Sequence, residues 1–428
     1  MRRALLALVA CAVAVPLAAQ DPIDRVRIGI NYTGGTRPGI VVVAAPGLDS
    51  VRKVIERDLD FSDRYEVAIL ADSVGIIRGA FNAAVFTQLG IQWAVELRPI
   101  TGGVEAKLHD LQAGQVRQRW VRGLDVAASG PMRMEIHRLS DEIVGMTGGG
   151  IGIAASRIAF TLDGAIWAVD SDGENLRQLT RGGGQGDLSA EWSPDGQRIA
   201  FTELRGYAGA ITLQNVATGA RQTVPGTGAA GTLNSTPAWS PDGRMMTFAR
   251  SSEDGTDLYS VNLAQMCCVQ RLTTSGKLAI NQYPTYSPDG RRVAFVSSRA
   301  GQPQIYAMDA DGSGPELLVP YEVGGTGSSF SADWSPDGGR LAFHRDVGGG
   351  GRQVHVYEFG SGRTRTLTST GRNEDPSWGP DSRHLVFSSS RGGRQQLWVL
   401  DLDSGRLRQL TSVSGRARLA AWSPSLQR

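Results

Sequence analysis

Three groupings of side chains in this sequence have the types and spacing to do chemistry. Arg133, His137 and Asp141 recur at four-residue intervals, which on a helix stacks a guanidinium, an imidazole and a carboxylate along one face. Such a stripe either faces a neighbouring domain or forms a solvated surface, and we favour the solvated surface. Asp195, Asp242, Asp289, Asp337 and Asp381 each follow a proline in a recurring motif, and a ring of carboxylates is a candidate metal or acid–base array. Four of the five are followed by glycine, and the sixth equivalent position is Ser425. Proline presets φ, aspartate hydrogen-bonds its own backbone and glycine accepts positive φ, so the motif reads as a turn and not as a site. Cys267 and Cys268 are adjacent. Neighbours on a strand point to opposite faces, so one inward cysteine acting as a small apolar side chain is favoured over a vicinal disulfide.

Hydrolytic chemistry finds little support. No Gly-x-Ser-x-Gly elbow occurs, and the five histidines, at 109, 137, 344, 355 and 384, form no His-Glu-x-x-His helix. The reading is therefore a protein without catalytic, metal or cofactor residues.

The elements that carry these residues form a repeat. Trp192-Ser-Pro-Asp-Gly196 recurs at Trp239, Tyr286 and Trp334, in the degenerate form Trp378-Gly-Pro-Asp-Ser382, and finally as Trp422-Ser-Pro-Ser425, at steps of 47, 47, 48, 44 and 44 residues. A period of this length marks a propeller or a solenoid. Each turn is followed by an apolar strand ending in phenylalanine, such as Arg292-Val-Ala-Phe295 or His384-Leu-Val-Phe387. A third alternating strand such as Gln304–Met308 and a short fourth such as Arg408–Thr411 complete a four-stranded unit, which is a propeller blade. Arg157-Ile-Ala-Phe160 is a second strand with no inner strand before it, and Trp422 begins an inner strand with no second strand after it. The two deficits are complementary. A six-bladed propeller over 151–428, closed by pairing these two strands, is expected.

Before the repeat lies a different pattern. Ile40 to Ala45 is an apolar strand, and Leu48, Val51, Ile55 and Leu59 follow at helical spacing after an Asp49 cap. A second helix is predicted over Asn82 to Leu89. Ile91–Leu97, Val104–Leu111 and Gln115–Val121 alternate as half-buried strands, and Pro131 opens a helix lined by Met132, Ile136, Leu139 and Ile143. A smaller α+β domain over 38–150 is expected.

The N-terminus sets the compartment. Arg2 and Arg3 precede the apolar run Ala4 to Val15, and Pro16-Leu17-Ala18-Ala19 offers small residues to a peptidase, so 1–19 reads as a secretory signal cleaved after Ala19. The competing reading, acylation at Cys11, is weakened by the apolar sequence that continues after it. The run is shorter than the ~20 residues a membrane span requires. Loss of Arg2 and Arg3 leaves 42 basic against 42 acidic residues. That balance provides no basic field for nucleic acid. Glycine is abundant, 55 of 428, without a collagen period, in keeping with many tight turns.

Connections from the fourth strand of one blade to the inner strand of the next are long: 182–190, 226–236, 275–283, 321–332 and 370–375. They emerge on one face and carry Asn234, Ser235, Asn281, Gln282, Tyr283, Asn373, Glu374 and Asp375, groups suited to a wet protein interface.

Val26-Arg27-Ile28, Asp58-Leu59, Arg64-Tyr65-Glu66, the His137–Glu142 stretch, Ser156-Arg-Ile-Ala-Phe160 and the terminal Ala421-Trp-Ser-Pro424 together resemble the TolB family of the Tol-Pal system of Gram-negative envelopes. The resemblance covers essentially the whole mature chain. It implies a monomeric, non-enzymatic periplasmic adaptor. One propeller face is expected to bind the peptidoglycan-associated lipoprotein Pal, with Asn234, Ser235 and Thr236 and Asn281 to Tyr283 on that face. The mature N-terminal segment, 20–37, is expected to engage TolA through Val26, Arg27 and Ile28. A glycine-rich Asn31 to Gly35 stretch and extra residues before Val26 depart from the family pattern. The alternatives are an exported propeller that binds a glycan or peptide and a peptidase-associated propeller.

Overall fold

The computed structural model describes residues 30–31, 35–71, 79–123, 129–182, 186–274, 276, 279–320 and 327–426. The signal, Val26, Arg27 and Ile28 lie outside these residues, as do parts of the connections 182–190, 275–283 and 321–332.

Alternation and helical spacing resolve the N-terminal third into β1 (Ile30–Asn31), β2 (Gly39–Ala44), α1 (Asp49–Phe61), β3 (Glu66–Leu70), α2 (Ala83–Gln88), β4 (Trp93–Ile100), β5 (Gly103–Asp110), β6 (Gln115–Arg122) and α3 (Ser129–Met146). The strands form one sheet in the order β1-β3-β2-β4-β5-β6. β2 pairs parallel with both β3 and β4, while β4, β5 and β6 form an antiparallel meander. Every residue of β2 is buried, as a strand covered on both faces requires. Ile40, Val42 and Ala44 pack under α1 and α3 against Val51, Ile55, Leu59, Ile136, Leu139 and Ile143. Val41 and Val43 face the other way, onto Phe86, Ile91 and Leu111. Two boundaries differ from expectation. Leu48 occupies the α1 cap position without a side-chain hydrogen bond, and Asp49 is a helical residue bound to Arg52 and Lys53. α3 starts at Ser129, two residues before Pro131.

Residues from Arg157 onward are strands, and the fold is an all-β propeller. Four four-stranded meanders and one eight-stranded sheet make it up, the latter being two successive meanders joined by the parallel pair Gly209 and Leu233. Strand Arg418–Trp422 pairs antiparallel with Arg157–Leu162, with Ala421 opposite Ala159 and Trp422 opposite Ile158. This bond between the two ends of the repeat leaves no unpaired inner edge there. Phe160, Phe201, Phe248, Phe295, Phe343 and Phe387 occupy equivalent second-strand positions and are fully buried. Trp192, Trp239, Trp378 and Trp422 on the inner strands are buried as well.

The recurring turn behaves as its residues dictate. Asp242 accepts from Ser240 Oγ at 2.6 Å and from Arg244 N at 3.0 Å, and Gly243 sits at φ 69°. Asp195, Asp289 and Asp337 accept from the serine of their own motif in the same way, so these carboxylates serve their turns.

The cysteines correct the expectation. Cys267 and Cys268 are joined as a vicinal disulfide on the outer strand Cys267–Arg271. Strict alternation would part the two sulfurs, but Cys268 is in the left-handed region, φ 65°, and the ladder shifts register beside it.

Candidate functional site

Each inner strand of the propeller contains a bulge at the same place. Ser189, Thr236, Tyr283, Ser331, Asp375 and Leu419 all have positive φ, between 47° and 53°, and the ladder to the second strand shifts register at each. Bulges re-aim side chains and tolerate proline, which follows in Pro237, Pro284 and Pro376. The ring of bulges encircles a channel of about 270 Å³, with Glu191 and Asp333 also in its wall. Burial raises the carboxyl of Glu191 well above its ordinary value, and the charge of Asp333 adds to the effect. Burial pushes Asp333 to about 6 against the hydrogen bond it accepts from Trp378 N at 2.7 Å.

At the end where the long connections emerge, the channel opens into a cavity of about 970 Å³. Tyr283, Asp375 and Leu419 line both spaces, and Gln282 and Glu374 line the mouth. Glu374 is held by Arg352 at 2.5 Å, Arg372 at 3.0 Å and Gln395 at 2.7 Å. Burial alone would raise its carboxyl, but Arg372 and Arg352 lower it. Asp375 accepts from Ser331 Oγ at 2.8 Å, yet burial dominates and raises it to about 6. Its backbone N–H donates to His344 Nδ1 at 3.2 Å, and burial lowers His344 to about 4, so the ring is a neutral acceptor.

The asparagines expected at this surface are elsewhere. Asn234, Asn281 and Asn373 are each 0 % exposed and sit inside strands. Asn234 donates to Gly209 O at 2.8 Å and accepts from Arg250 at 2.8 Å, and Asn373 donates to Gln353 at 2.8 Å and accepts from Arg391 at 3.0 Å. Asn281 donates to Thr256 O at 3.1 Å and accepts from Ser297 at 2.8 Å. They tie strands together; a buried amide must satisfy its donors and acceptors internally. Ser235 and Thr236 are half-buried, and Thr236 Oγ1 accepts from Tyr283 N at 3.3 Å. The structure thus brings Thr236, Gln282, Tyr283, Glu374 and Asp375 to the channel or its mouth. Sequence reasoning missed the arginines of the mouth, Arg352, Arg372, Arg394, Arg416 and Arg418, although Arg372 lies within the connection 370–375.

The opposite end of the propeller carries the N-terminal elements, and there the α3 stripe corrects the expectation of a solvated face. His137 is 0 % exposed, with Nδ1 2.8 Å from Asp58 Oδ2 on α1 and Nε2 3.8 Å from Asp170 Oδ2 on the propeller. Arg133 pairs with Asp172, and Asp141 accepts from the backbone N–H groups of Ala154 and Ala155 at 2.8 and 2.9 Å. Burial alone would lower His137, but Asp58, Asp170 and Asp172 outweigh it and raise the imidazole to about 10. A second cluster centres on Asp63, 0 % exposed, which meets Arg406 at 3.1 Å, Arg408 at 3.0 Å and His384 at 3.3 Å. His384 follows the degenerate Gly-Pro-Asp-Ser turn, and Asp381 of that turn binds its Nδ1 at 2.7 Å. The degenerate motif marks the place where the propeller receives α1.

The family described as "TolB beta propeller domain" matches residues 147–426. "Tol-Pal system protein TolB" of Albidiferax ferrireducens is 31% identical over 242 residues, covering 52% of this chain and 53% of that protein. "Protein TolB homolog" of Chlorobium chlorochromatii is 35% identical over 126 residues, 29% of this chain and 27% of that one. The chain thus spans about half or less of the length of the curated relatives it matches. The crystal structure of TolB from Acinetobacter baumannii has the same fold, with a TM-score of 0.77 and 24% identity over 93% of this chain and all of that one. On the match that runs through the whole set of propeller repeats, the chain belongs to the TolB β-propeller family.

Proposed function

We propose that the protein is a non-enzymatic periplasmic adaptor of the Tol-Pal system, binding Pal at the channel mouth and TolA through its N-terminal segment, and so serving envelope integrity and constriction at division. In this reading 151–428 is a six-bladed propeller and 38–150 an α+β domain that positions the segment 20–37. Val26, Arg27 and Ile28 contact TolA. Ser235, Thr236, Gln282, Tyr283, Glu374 and Asp375 contact Pal or shape its seat, while Asn234, Asn281 and Asn373 hold the strands beneath. No metal or cofactor takes part.

One observation carries the reading. The channel mouth, ringed by six equivalent bulges, lies on the end of the propeller away from α1 and α3, so a partner can dock there while the N-terminal elements stay in place. Relatives named as Tol-Pal proteins supply the system. A glycan ligand has less support, because the repeat tryptophans Trp192, Trp239, Trp378 and Trp422 are almost wholly buried and expose little ring face for a sugar.

Calorimetric titration of the mature chain with the soluble domain of Pal from the same cell tests the reading. Saturable binding that Tyr283→Ala weakens at unchanged melting temperature is expected; a folded wild type that takes up no Pal overturns it.

A further inference from the structure

The mouth cavity has a charge that the chain as a whole does not. Five guanidinium groups and two carboxyl groups line it. Arg352 and Arg372 are committed to Glu374. Burial raises Asp375 only to about 6, so at neutral pH it is a single carboxylate set against three arginines, and His344, lowered to about 4, adds no cation. Arg394 donates to Ser414 O and has no carboxylate partner among the described residues. Arg416 and Arg418 are exposed, and neither side chain has an ion-pair or hydrogen-bond partner among the described residues. They flank the buried Ala417, whose N–H donates to Gln395 O at 3.1 Å, and both line the same cavity. Positive groups concentrated in a concave, partly desolvated space attract anions far more strongly than the same groups on open surface.

The cavity is also too large for a lone carboxylate. Its volume, about 970 Å³, is continuous through Tyr283 and Leu419 with the channel, whose wall mixes prolines and aromatic rings with Glu191 and Asp333. Arginines at the rim with the apolar bodies of Tyr283 and Leu419 at the junction below suit a peptide that carries both acidic and apolar side chains.

We propose that the mouth is a binding site for an extended acidic segment of a protein partner, in which carboxylates two residues apart pair with Arg416 and Arg418 and a neighbouring apolar side chain enters toward Tyr283 and Leu419. Residues i and i+2 of an extended chain lie on one side and about 7 Å apart, which matches two arginines separated by one buried residue. Arginine binds carboxylate bidentately, so the pair selects acidic segments over amides of the same shape. The inference deepens the reading of this face as the Pal seat and names the chemistry by which the partner is recognised.

The test uses the mature full chain and the variant Arg416→Glu/Arg418→Glu, with melting temperature as the folding control. Two probes are titrated: the soluble Pal domain, and a fluorescein-labelled decapeptide with a central Glu-Leu-Glu alongside its Gln-Leu-Gln counterpart. Expected are Pal binding weakened by about a hundredfold in the variant, an affinity that falls severalfold from about 50 to about 300 mM salt, and a peptide signal that needs both the glutamates and the arginines. Pal binding that is unchanged in the variant and insensitive to salt overturns the inference and leaves the adaptor reading standing. If the wild type ignores Pal yet takes up the acidic peptide in an arginine-dependent way, the adaptor reading falls and the acidic site stands. If neither probe responds to the charge reversal, the site is refuted.

Discussion

Asp58 on α1 and His137 on α3 meet at 2.8 Å, Oδ2 to Nδ1, where no solvent reaches the imidazole. Ser140 Oγ donates to the same carboxylate at 2.7 Å, and Asp170 and Asp172 approach the ring from the propeller. Arg133 and Arg157 neutralise the propeller carboxylates from the other side, and Asp141 lies further along the same helix. A protonated His137 is therefore what closes the charge balance between the helices and the propeller.

The pH dependence has a definite sign. The imidazole is raised from 6.5 to about 10, so its stabilisation is complete below about 6.5 and is lost as pH rises through about 10. Thermal melting across this window should show the wild type losing several degrees relative to His137→Gln, whose advantage or deficit stays flat. Parallel curves for the two proteins would show that His137 enters the fold uncharged.

Asp63 holds the other half of the contact. Asparagine tolerates the left-handed backbone that Asp63 adopts, φ 54°, so Asp63→Asn removes the charge and leaves the turn. Arg406, Arg408 and His384 then lose their shared carboxylate, and a loss of about 3–5 kcal/mol is expected in urea unfolding. An unchanged midpoint would mean that the cluster does not hold α1 to the propeller.

Trp239 is core. Its Nε1 reaches Glu191 O at 3.4 Å and Arg198 lies over its ring at 4.9 Å. Trp239→Ala should cost about 3–5 kcal/mol, while partner affinity measured well below the lowered melting temperature persists. Lost affinity at full stability would make the tryptophan a contact residue.

Asn281 and Tyr283 should part company. Asn281→Ala leaves Ser297 and the Thr256 carbonyl without their partner and should lower stability by about 1–3 kcal/mol. Tyr283→Ala removes a side chain from the channel wall and should reduce partner affinity with little change in melting. Measuring both properties on each single variant separates scaffold from surface; identical behaviour would refute the distinction.

The disulfide has a chemical signature. In the mature chain, alkylation of the denatured protein should modify no cysteine before reduction and both Cys267 and Cys268 after it. Modification without reductant would show the pair to be thiols.

The propeller was largely legible in the sequence because its determinants are local. A proline, an aspartate and a glycine in succession make the same turn wherever they occur, and the strand that follows must bury its phenylalanine, so the period of Trp192, Trp239, Tyr286 and Trp334 carried the architecture. Residues with local partners only, such as Asp242 in its turn, were read correctly for the same reason. The family could be reached from sequence because repeat and N-terminal motifs occur together.

What the tertiary structure alone decided concerns partners remote in sequence. Asn281 looks like a polar loop residue until the Thr256 carbonyl and Ser297 close around it. His137 looks like one step of a solvated stripe until Asp58, 79 residues away, and the carboxylates of the propeller enclose it. Cys267 and Cys268 look separated until a left-handed residue breaks the alternation. The unpaired state of Arg416 and Arg418, and the cavity they line, exist only because the last inner strand is laid against the first blade. Local propensity sets which elements form; whether a polar group ends in water, in a core or in a binding cavity depends on which distant charges and amides the fold brings against it, and no short stretch of sequence contains that information.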